Sequence, residues 1–322
     1  LVVLYLCIGP VFAVPRTGAV SFEIGIRPFL QEDSLKIGQA VYTALFFGAS
    51  YYLSLNPNKL IDRVGKMLTP VLLVVLAVLF AKAFLSPLGT ILPPTGNYID
   101  APFTQGFQDG YQTMDLLASV AIGTLVVNAV RMRGVTDNRA IGRICLIAGL
   151  ITVSLMACVY GSLAYLGATS TMVLGHSPNG GQLLASAVSI FFGTAGNGLL
   201  AAIIILACLT TSCGMLSGGA WFFNQLLHKR ISYERLLLFF TLFSFAVSNV
   251  GLTQIIALAV PFLVTIYPLV IVFVILSLFD RTIGWRRSVY HWALNLTLIF
   301  SLIDGLNAAG IHFHQLNQLL TA

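Results

Sequence analysis

The stretch QIIALAVPFLVTIYPLVIVFVILSLF, residues 254–279, decides the fold class, because it is long, apolar and free of charged side chains. A helix of about 20 mostly apolar residues crosses the hydrocarbon core of a lipid bilayer. Lipid offers the backbone no hydrogen bonds, so a spanning segment must satisfy its own peptide groups, as a helix does. We therefore predict a transmembrane helix here, with length to spare for a tilt or a bend.

The rest of the chain has the same character. Hydrophobic residues make up 57% of the 322 residues and charged residues only 9%, whereas a soluble domain carries about 25% charged residues. This composition excludes an ordinary soluble fold. We predict an all-α polytopic membrane protein with about nine spans, at residues 1–26, 36–55, 67–86, 112–131, 141–166, 198–225, 234–252, 254–279 and 288–308.

The Lys and Arg residues predict the orientation of these spans. Most of the 17 basic residues lie in or beside four alternate connecting segments, whereas the long segments 87–111 and 167–197 contain none. By the positive-inside rule the basic segments are cytoplasmic and the first span runs outward. The net charge of +6 is then an orientation signal, and we predict no nucleic-acid partner. The residues concerned are Lys59, Arg63, Lys66, Arg131, Arg133, Arg139, Arg143, Lys229, Arg230, Arg235, Arg281, Arg286 and Arg287.

One outer segment contains a helix that does not span. The apolar run from Leu183 to Phe192 lies within residues 178–197 and is too short to cross a bilayer. We predict an amphipathic or re-entrant helix on the outer side.

The first span is polar for a membrane helix. Arg16 and Glu23 are seven residues apart and so share one helix face, while Pro10 and Pro15 each remove a helical hydrogen bond. We predict a bent helix whose polar face points into the protein. Two interpretations of the charges stay open: a gate or charged network near a transport path, or a buried ion pair that holds helices together.

The fourth span begins in an unusual way. Gly106, Gly110 and several polar side chains precede Asp115, which indicates a broken helix: an outer half at about 100–112, an unwound stretch, and an inner half from about 116. The unwound backbone of such a helix binds substrates and ions. The alternative is an ordinary helix N-terminus, where Asp115 interacts favourably with the helix dipole.

The sixth span carries a possible cation site. Thr211 and Ser212 follow Cys208 by three and four residues, so two hydroxyls and the Cys208 carbonyl converge on one side of the helix. Oxygen ligands suit a small hard cation such as Na⁺. The alternative is that these hydroxyls only bond back to the preceding helical turn.

Four pieces of sequence together resemble one family of transporters. The first is GPVFAVPRT at residues 9–17, followed by VSFE at 20–23. The others are Gly110-Tyr111 with TMD at 113–115, VNA at 127–129 with RGVT at 133–136, and VSNVGL at 247–252 with Pro261 and Tyr267-Pro268. In this order, and over essentially the whole chain, they resemble the branched-chain amino acid:cation symporters, the leucine/isoleucine/valine carriers.

The resemblance implies a leucine-transporter-like fold of two inverted five-helix repeats, each opening with a broken helix. Family chains have about twelve spans, and the nine predicted here look like the third to the eleventh, so the chain is expected to be truncated at both ends. On this reading residues 1–322 are one transporter domain: 1–99 the remainder of the first repeat, 100–279 the second repeat, and 280–322 an additional C-terminal helix. Much of the binding site would then lie in family helices that precede residue 1. The implied function is therefore that of the full-length carrier. This chain alone is expected not to transport.

The implied function is secondary active transport: symport of leucine, isoleucine and valine with Na⁺ or H⁺ into a bacterium, across its plasma membrane. The coupling ion is the only cofactor expected. The substrate is expected to contact the unwound stretch and an apolar pocket, and the preference among the three amino acids and the oligomeric state stay open. The expected substrate residues are Phe12, Tyr111, Thr113, Met114, Asp115 and Leu117, and the expected cation residues are Cys208, Thr211 and Ser212, with Thr211 and Ser212 holding Na⁺.

Three other functions compete with this one. The first is an amino acid transporter of the same fold with another substrate. A channel would show a repeated filter or pore ring, and the sequence shows neither. An intramembrane enzyme would show H-E-x-x-H or paired membrane aspartates, and the sequence shows neither of these. Asp304 is expected at the membrane interface. The five cysteines form no C-x-x-C pair, so we predict no metal or redox chemistry for them. Because the catalytic motifs are missing, we predict no enzymatic activity.

Overall fold

The computed structural model describes residues 2–55, 60–279 and 287–311, and within these ranges it contains helices but no strand. A π-helical turn, Cys7–Val11, joins the first two helices, and a 3-10 turn, Gly110–Thr113, precedes the sixth. The helices are α1 Val2–Leu6, α2 Ala13–Gly25, α3 Leu35–Leu55, α4 Leu60–Leu85, α5 Pro102–Asp109, α6 Asp115–Met132, α7 Asn138–Leu174, α8 Gly180–Leu226, α9 Tyr233–Ser248, α10 Leu252–Leu278 and α11 Arg287–Ala308.

Several helices fit a multi-pass membrane protein. Each of the nine predicted spans coincides with a helix, and the all-α class is confirmed, but the span count stays a prediction. A shorter apolar helix covers Pro70–Leu85. The stretches that are long and apolar enough to cross a membrane are Val2–Phe29, Asn138–Leu174, Gly180–Leu226, Leu252–Leu278 and Arg287–Ala308.

The outer surface of α7 shows why lipid is the expected solvent. In its most apolar stretch no residue is buried, and Leu146, Leu150 and Val153 are each more than 60% exposed. Soluble monomers rarely expose a continuous apolar surface of this kind. A bilayer would cover this face of α7.

The chain divides into two compact units. The larger contains the residues up to Pro93 together with Ile122–Thr253, and the smaller contains Pro94–Ala121 and the residues from Gln254 onward. Each unit is described separately below.

The larger unit is organised around α2, which packs along α8, with α3 and α9 packed against both. Val14, Phe47 and Leu237 lie in the core of this packing and are at most 2% exposed. Between helices in lipid, close contact of side chains stabilises the packing, because the hydrophobic effect offers no preference for protein over lipid. The fit of small and large side chains therefore determines the stability of this unit.

Gly18 of α2 gives a test of that fit. A Cβ atom built on Gly18 would lie 2.7 Å from Cε2 of Phe47 and 2.8 Å from Oγ of Ser248. We expect Gly18→Leu to lower the free energy of unfolding by about 1–3 kcal/mol, the usual effect of overpacking. The matched control is Gly48→Leu in α3, where nothing lies within 4 Å. Equal melting temperatures of the two variants in detergent would contradict the described packing.

The bend predicted in the first span is confirmed. The helix is interrupted at Gly9, whose φ of −85° and ψ of −120° are not helical, and Pro10 lies inside the same π-helical turn. The carbonyl oxygen of Pro10 accepts a hydrogen bond from Oγ of Ser244, 3.2 Å away. A side chain of α9 thus satisfies a backbone group at the bend.

The outer helix predicted between residues 178 and 197 is present as the first part of α8. Asn179 caps it, because its Oδ1 accepts a hydrogen bond from the N–H of Gln182 at 3.0 Å. Gly193, with φ 65° and ψ −161°, then interrupts the helix before the predicted sixth span. Its position outside the membrane stays a prediction.

The motif VSNVGL at residues 247–252 ends α9 and begins α10. Nε2 of Gln39 donates to the carbonyl oxygen of Ser248 at 2.9 Å, and Oγ1 of Thr43 donates to Oδ1 of Asn249 at 3.2 Å. Gly251 has a φ of 104°, which favours glycine. In this structure the motif therefore joins α3 to the end of α9.

Candidate functional site

The helix break predicted near residue 110 is present in the smaller unit. α5 ends at Asp109, the 3-10 turn follows, and α6 begins at Asp115. Between them Met114 has the left-handed conformation, with φ 60° and ψ 12°, which costs most residue types roughly 1–2 kcal/mol. The interruption before Asp115 is present, and Asp115 lies in the first turn of the helix that follows it; that α5 and α6 are two halves of one spanning helix stays a prediction.

The backbone at this break can bind a charged group. N–H groups in the first turn of an α-helix point out of its N-terminal end and can bind an anionic group such as a carboxylate. The carbonyl oxygen of Met114 already accepts from the N–H of Ala118 at 2.9 Å, which marks where the regular ladder begins. Thr113 is exposed, and its Oγ1 donates to the carbonyl oxygen of Gly110 at 2.8 Å.

Apolar side chains lie beside these polar groups. Met114 is 5% exposed and Leu117 is fully buried. Tyr111 stacks on Tyr267 of α10, with ring centroids 4.4 Å apart and an angle of 20° between the planes. The structure therefore places Tyr111, Thr113, Met114, Asp115 and Leu117 at one break, with polar backbone and apolar side chains adjacent.

Tyr267 is a site candidate that the sequence analysis did not select. Its ring is 4% exposed, and its hydroxyl makes no hydrogen bond of good geometry within the described residues. The hydroxyl lies beside the Thr113 side chain and the backbone of Met114 and Leu116. Hydrogen bonds of poor geometry satisfy a buried hydroxyl incompletely, so a ligand at the break can replace these neighbours. The Tyr267-Pro268 pair in the family-like motif was the available signal.

A polar cavity of about 350 Å³ lies in the same unit. Asp304 is exposed and lines this cavity together with Asp109, Tyr111, Gln112 and an apolar wall on α10; its place at the membrane interface stays a prediction. Oδ2 of Asp109 accepts a hydrogen bond from the Tyr98 hydroxyl at 2.6 Å. This bond raises the pKa of Tyr98 to about 12, with smaller contributions from burial and from the Asp109 charge, so the phenol stays protonated at physiological pH.

The expected cation residues lie on α8 in the larger unit, and they differ in environment. Oγ1 of Thr211 is exposed and donates to the carbonyl oxygen of Ala207 at 2.9 Å, as the back-bonding alternative predicts. Ser212 is fully buried, and its Oγ has no hydrogen-bond partner within the described residues. Cys208 packs against the core around Phe47. The cation site stays a prediction. Of the two hydroxyls, that of Ser212 is the more available to an ion, because that of Thr211 already donates to Ala207.

Phe12 also belongs to the larger unit. It is 6% exposed and lies at the junction between the π-helical turn and α2. Its carbonyl oxygen accepts a hydrogen bond from the N–H of Arg16 at 3.1 Å. Its expected contact with substrate stays a prediction.

Glu23 forms an ion pair one turn further along the chain. Its Oε2 lies 3.1 Å from Nη1 of Arg27, and it also accepts a hydrogen bond from Nε2 of Gln182 at 3.1 Å. The sequence analysis did not select Arg27, which lies just beyond the predicted end of the first span. The i, i+4 spacing of opposite charges was the available signal.

One protein family matches the chain over its whole length. A family model described as "Branched-chain amino acid transport protein" matches residues 1–322. No solved structure matches the chain.

Several bacterial proteins are similar over most of their length. The branched-chain amino acid permease BraB of Bacillus subtilis is 44% identical over 321 residues, covering 100% of this chain and 72% of the relative. The branched-chain amino acid transport system 2 carrier protein of Pseudomonas aeruginosa is 44% identical over 311 residues, covering 97% and 70%. The permease BrnQ of Escherichia coli is 39% identical over 309 residues, covering 95% and 69%. These relatives are permeases and carriers, not enzymes.

Proposed function

This chain belongs to the family of branched-chain amino acid transport proteins, and we propose that it carries leucine, isoleucine and valine into the cell by symport with a cation. The bacterial relatives named as permeases and carriers for this class of amino acid support the substrate. Their bacterial origin also supports a place in the bacterial plasma membrane. The coupling ion is Na⁺ or H⁺.

The break between α5 and α6 is the observation that carries the proposal. An amino acid has a carboxylate, an ammonium group and a side chain, and all three have partners there. The carboxylate binds N–H groups in the first turn of α6 and the Tyr267 hydroxyl; the ammonium group binds backbone carbonyls at the break and the Asp115 carboxylate. The aliphatic side chain lies against Met114 and Leu117, and Tyr111 and Thr113 complete the proposed contacts.

The fold that supports this function is a leucine-transporter-like arrangement. The second inverted repeat begins near residue 100 and ends near 279. The remainder of the first repeat precedes it at 1–99, and the C-terminal segment 280–322, whose described helix is α11, follows it. The broken helix at the start of the second repeat supports this assignment, because inverted-repeat transporters bind substrate at discontinuous helices.

Competition between substrates tests the proposal. A hydrophobic pocket distinguishes side chains that differ by one methylene by only about 1–3 kcal/mol. Excess valine or isoleucine is therefore expected to inhibit uptake of labelled leucine by the full-length carrier, whereas lysine and glutamate are not. Leucine uptake that ignores valine and isoleucine contradicts the proposed substrates. Inhibition by a different amino acid class alone would favour a transporter of the same fold with another substrate.

A further inference from the structure

A second polar pocket lies in the larger unit, away from Thr211 and Ser212. Its volume is about 250 Å³, and it lies between the C-terminal end of α2 and the first part of α8. Glu23 and Arg27 line it from one side, and Gln182, Ser186, Ser189 and Asn197 from the other. The pocket is rich in oxygen atoms for a region between apolar helices.

Among the described residues that line this pocket, Glu23 alone carries a carboxylate, and it is 8% exposed. A buried carboxylate needs a positive partner or several hydrogen bonds. Here it has Arg27, whose Nη1 lies 3.2 Å from Oε1 and 3.1 Å from Oε2, and the Gln182 amide. The Arg27 side chain is itself one-third exposed, so it can leave the carboxylate and reach solvent.

Asn197 points to a ligand independently of Glu23. It is 7% exposed, and its Oδ1 is buried without a hydrogen-bond partner within the described residues. An oxygen in this position loses its water on folding and gains no donor. A bound cation would satisfy this oxygen.

We propose that this pocket binds Na⁺, with Arg27 as a tethered cation that competes for the same carboxylate. The two oxygens of the Glu23 carboxylate, the Asn197 amide oxygen and the hydroxyls of Ser186 and Ser189 line the pocket. The Gln182 amide, whose Nε2 donates to Glu23 in this structure, would turn its oxygen toward the ion and complete the about six oxygen ligands that hard cations take. A single carboxylate favours a monovalent ion over Ca²⁺ or Mg²⁺. Within the described residues no group of three acidic, His or Cys side chains could hold a transition metal.

The pocket binds Na⁺ whether or not the ion is coupled to the proposed transport. Its binding of Na⁺ does not depend on the site at Thr211 and Ser212. The competing explanation is a purely structural ion pair that fastens α2 to α8. Removal of Arg27 distinguishes the cation site from a structural ion pair. If the pair is only structural, its loss weakens the contact between α2 and α8. If the pocket is a cation site, the loss of the competing Arg27 strengthens Na⁺ binding.

Melting of the purified chain in detergent tests the proposal. We compare NaCl, KCl and choline chloride at equal ionic strength and about pH 8, where carboxyl groups are ordinarily ionised. Na⁺ is expected to raise the melting temperature by roughly 3 °C or more over choline, since a ligand that binds only the folded state stabilises it. Arg27→Gln is expected to lower the Na⁺ concentration for half-maximal stabilisation about tenfold. Glu23→Gln is expected to abolish the response.

Two further variants keep the test decisive. Glu32→Gln makes the same charge change at an exposed position outside the pocket and is expected to respond as the unmodified chain does. If Glu23→Gln does not fold, Ser189→Ala with Asn197→Ala removes two oxygens without touching the ion pair and is expected to weaken Na⁺ binding at least tenfold.

Three results would overturn the inference. The first is equal melting in NaCl, KCl and choline chloride. The second is an Arg27→Gln variant that melts lower with no gain in its response to Na⁺. The third is a Na⁺ response that survives Asn197→Ala and disappears in Ser212→Ala, because the ion would then lie on the predicted sixth span. Leucine competition is measured separately, so failure here leaves the proposed substrates untouched.

Discussion

Leucine uptake by the full-length carrier is expected to lose most of its Na⁺ dependence when Thr211 and Ser212 are both replaced by alanine. Ser212 Oγ is buried and has no partner within the described residues, and Thr211 Oγ1 lies one residue away on the same helix. Loss of two ligands from a site that needs about six oxygens is expected to raise the Na⁺ concentration for half-maximal uptake at least tenfold, or about 1.4 kcal/mol. The measurement is leucine uptake as a function of Na⁺ concentration.

Thr210→Ala is the matched control for this double variant. Oγ1 of Thr210 donates to the Ala207 carbonyl at 2.9 Å, as Oγ1 of Thr211 does, so it controls for loss of a back-bonding hydroxyl. Normal Na⁺ dependence of the double variant would exclude the sixth span as the coupling site. In the absence of any ion, Ser212→Ala should leave stability unchanged or raise it, because it removes an unsatisfied buried hydroxyl.

Tyr267→Phe is expected to weaken leucine binding by about tenfold or more and to leave the fold intact. The change removes one hydroxyl and keeps the ring that stacks on Tyr111. A hydrogen bond to a charged group contributes about 1.5–3 kcal/mol, which sets the expected loss if the hydroxyl binds the leucine carboxylate. The measurement is the concentration of leucine for half-maximal uptake, together with the melting temperature.

Tyr42→Phe provides the comparison in the larger unit. The Tyr42 hydroxyl is also buried and makes no hydrogen bond of good geometry within the described residues, but the proposed substrate contacts do not include it. Equal leucine affinities of the two variants would show that the Tyr267 hydroxyl has no role in binding.

Local sequence signals predicted the irregular parts of the fold well. Pro10 predicted the bend of the first span, because proline removes a helical hydrogen bond. Gly106, Gly110 and the polar run before Asp115 predicted the break between α5 and α6. The separation of the outer helix at Leu183 to Phe192 from the sixth span at 198–225 was predicted from their lengths, and Gly193 interrupts α8 between the two.

Features that depend on packing between distant segments could not be predicted. Tyr267 comes to the break only through the packing of α10 in the smaller unit, more than 150 residues along the chain. The difference between exposed Thr211 and buried Ser212 depends on which face of α8 meets its neighbours, and an all-apolar helix has no amphipathic pattern to show this. The Glu23 pocket likewise requires α2 and α8 together.

Hydrogen exchange at the helix break tests the central claim most directly. Backbone amides from Tyr111 to Leu117 are compared with and without saturating leucine, with lysine as the control amino acid. We predict slower exchange at the start of α6 with leucine, isoleucine and valine, because the substrate carboxylate binds those N–H groups, and no change with lysine. Unchanged exchange at this segment under leucine concentrations that saturate uptake would contradict the assignment of the break as the substrate site.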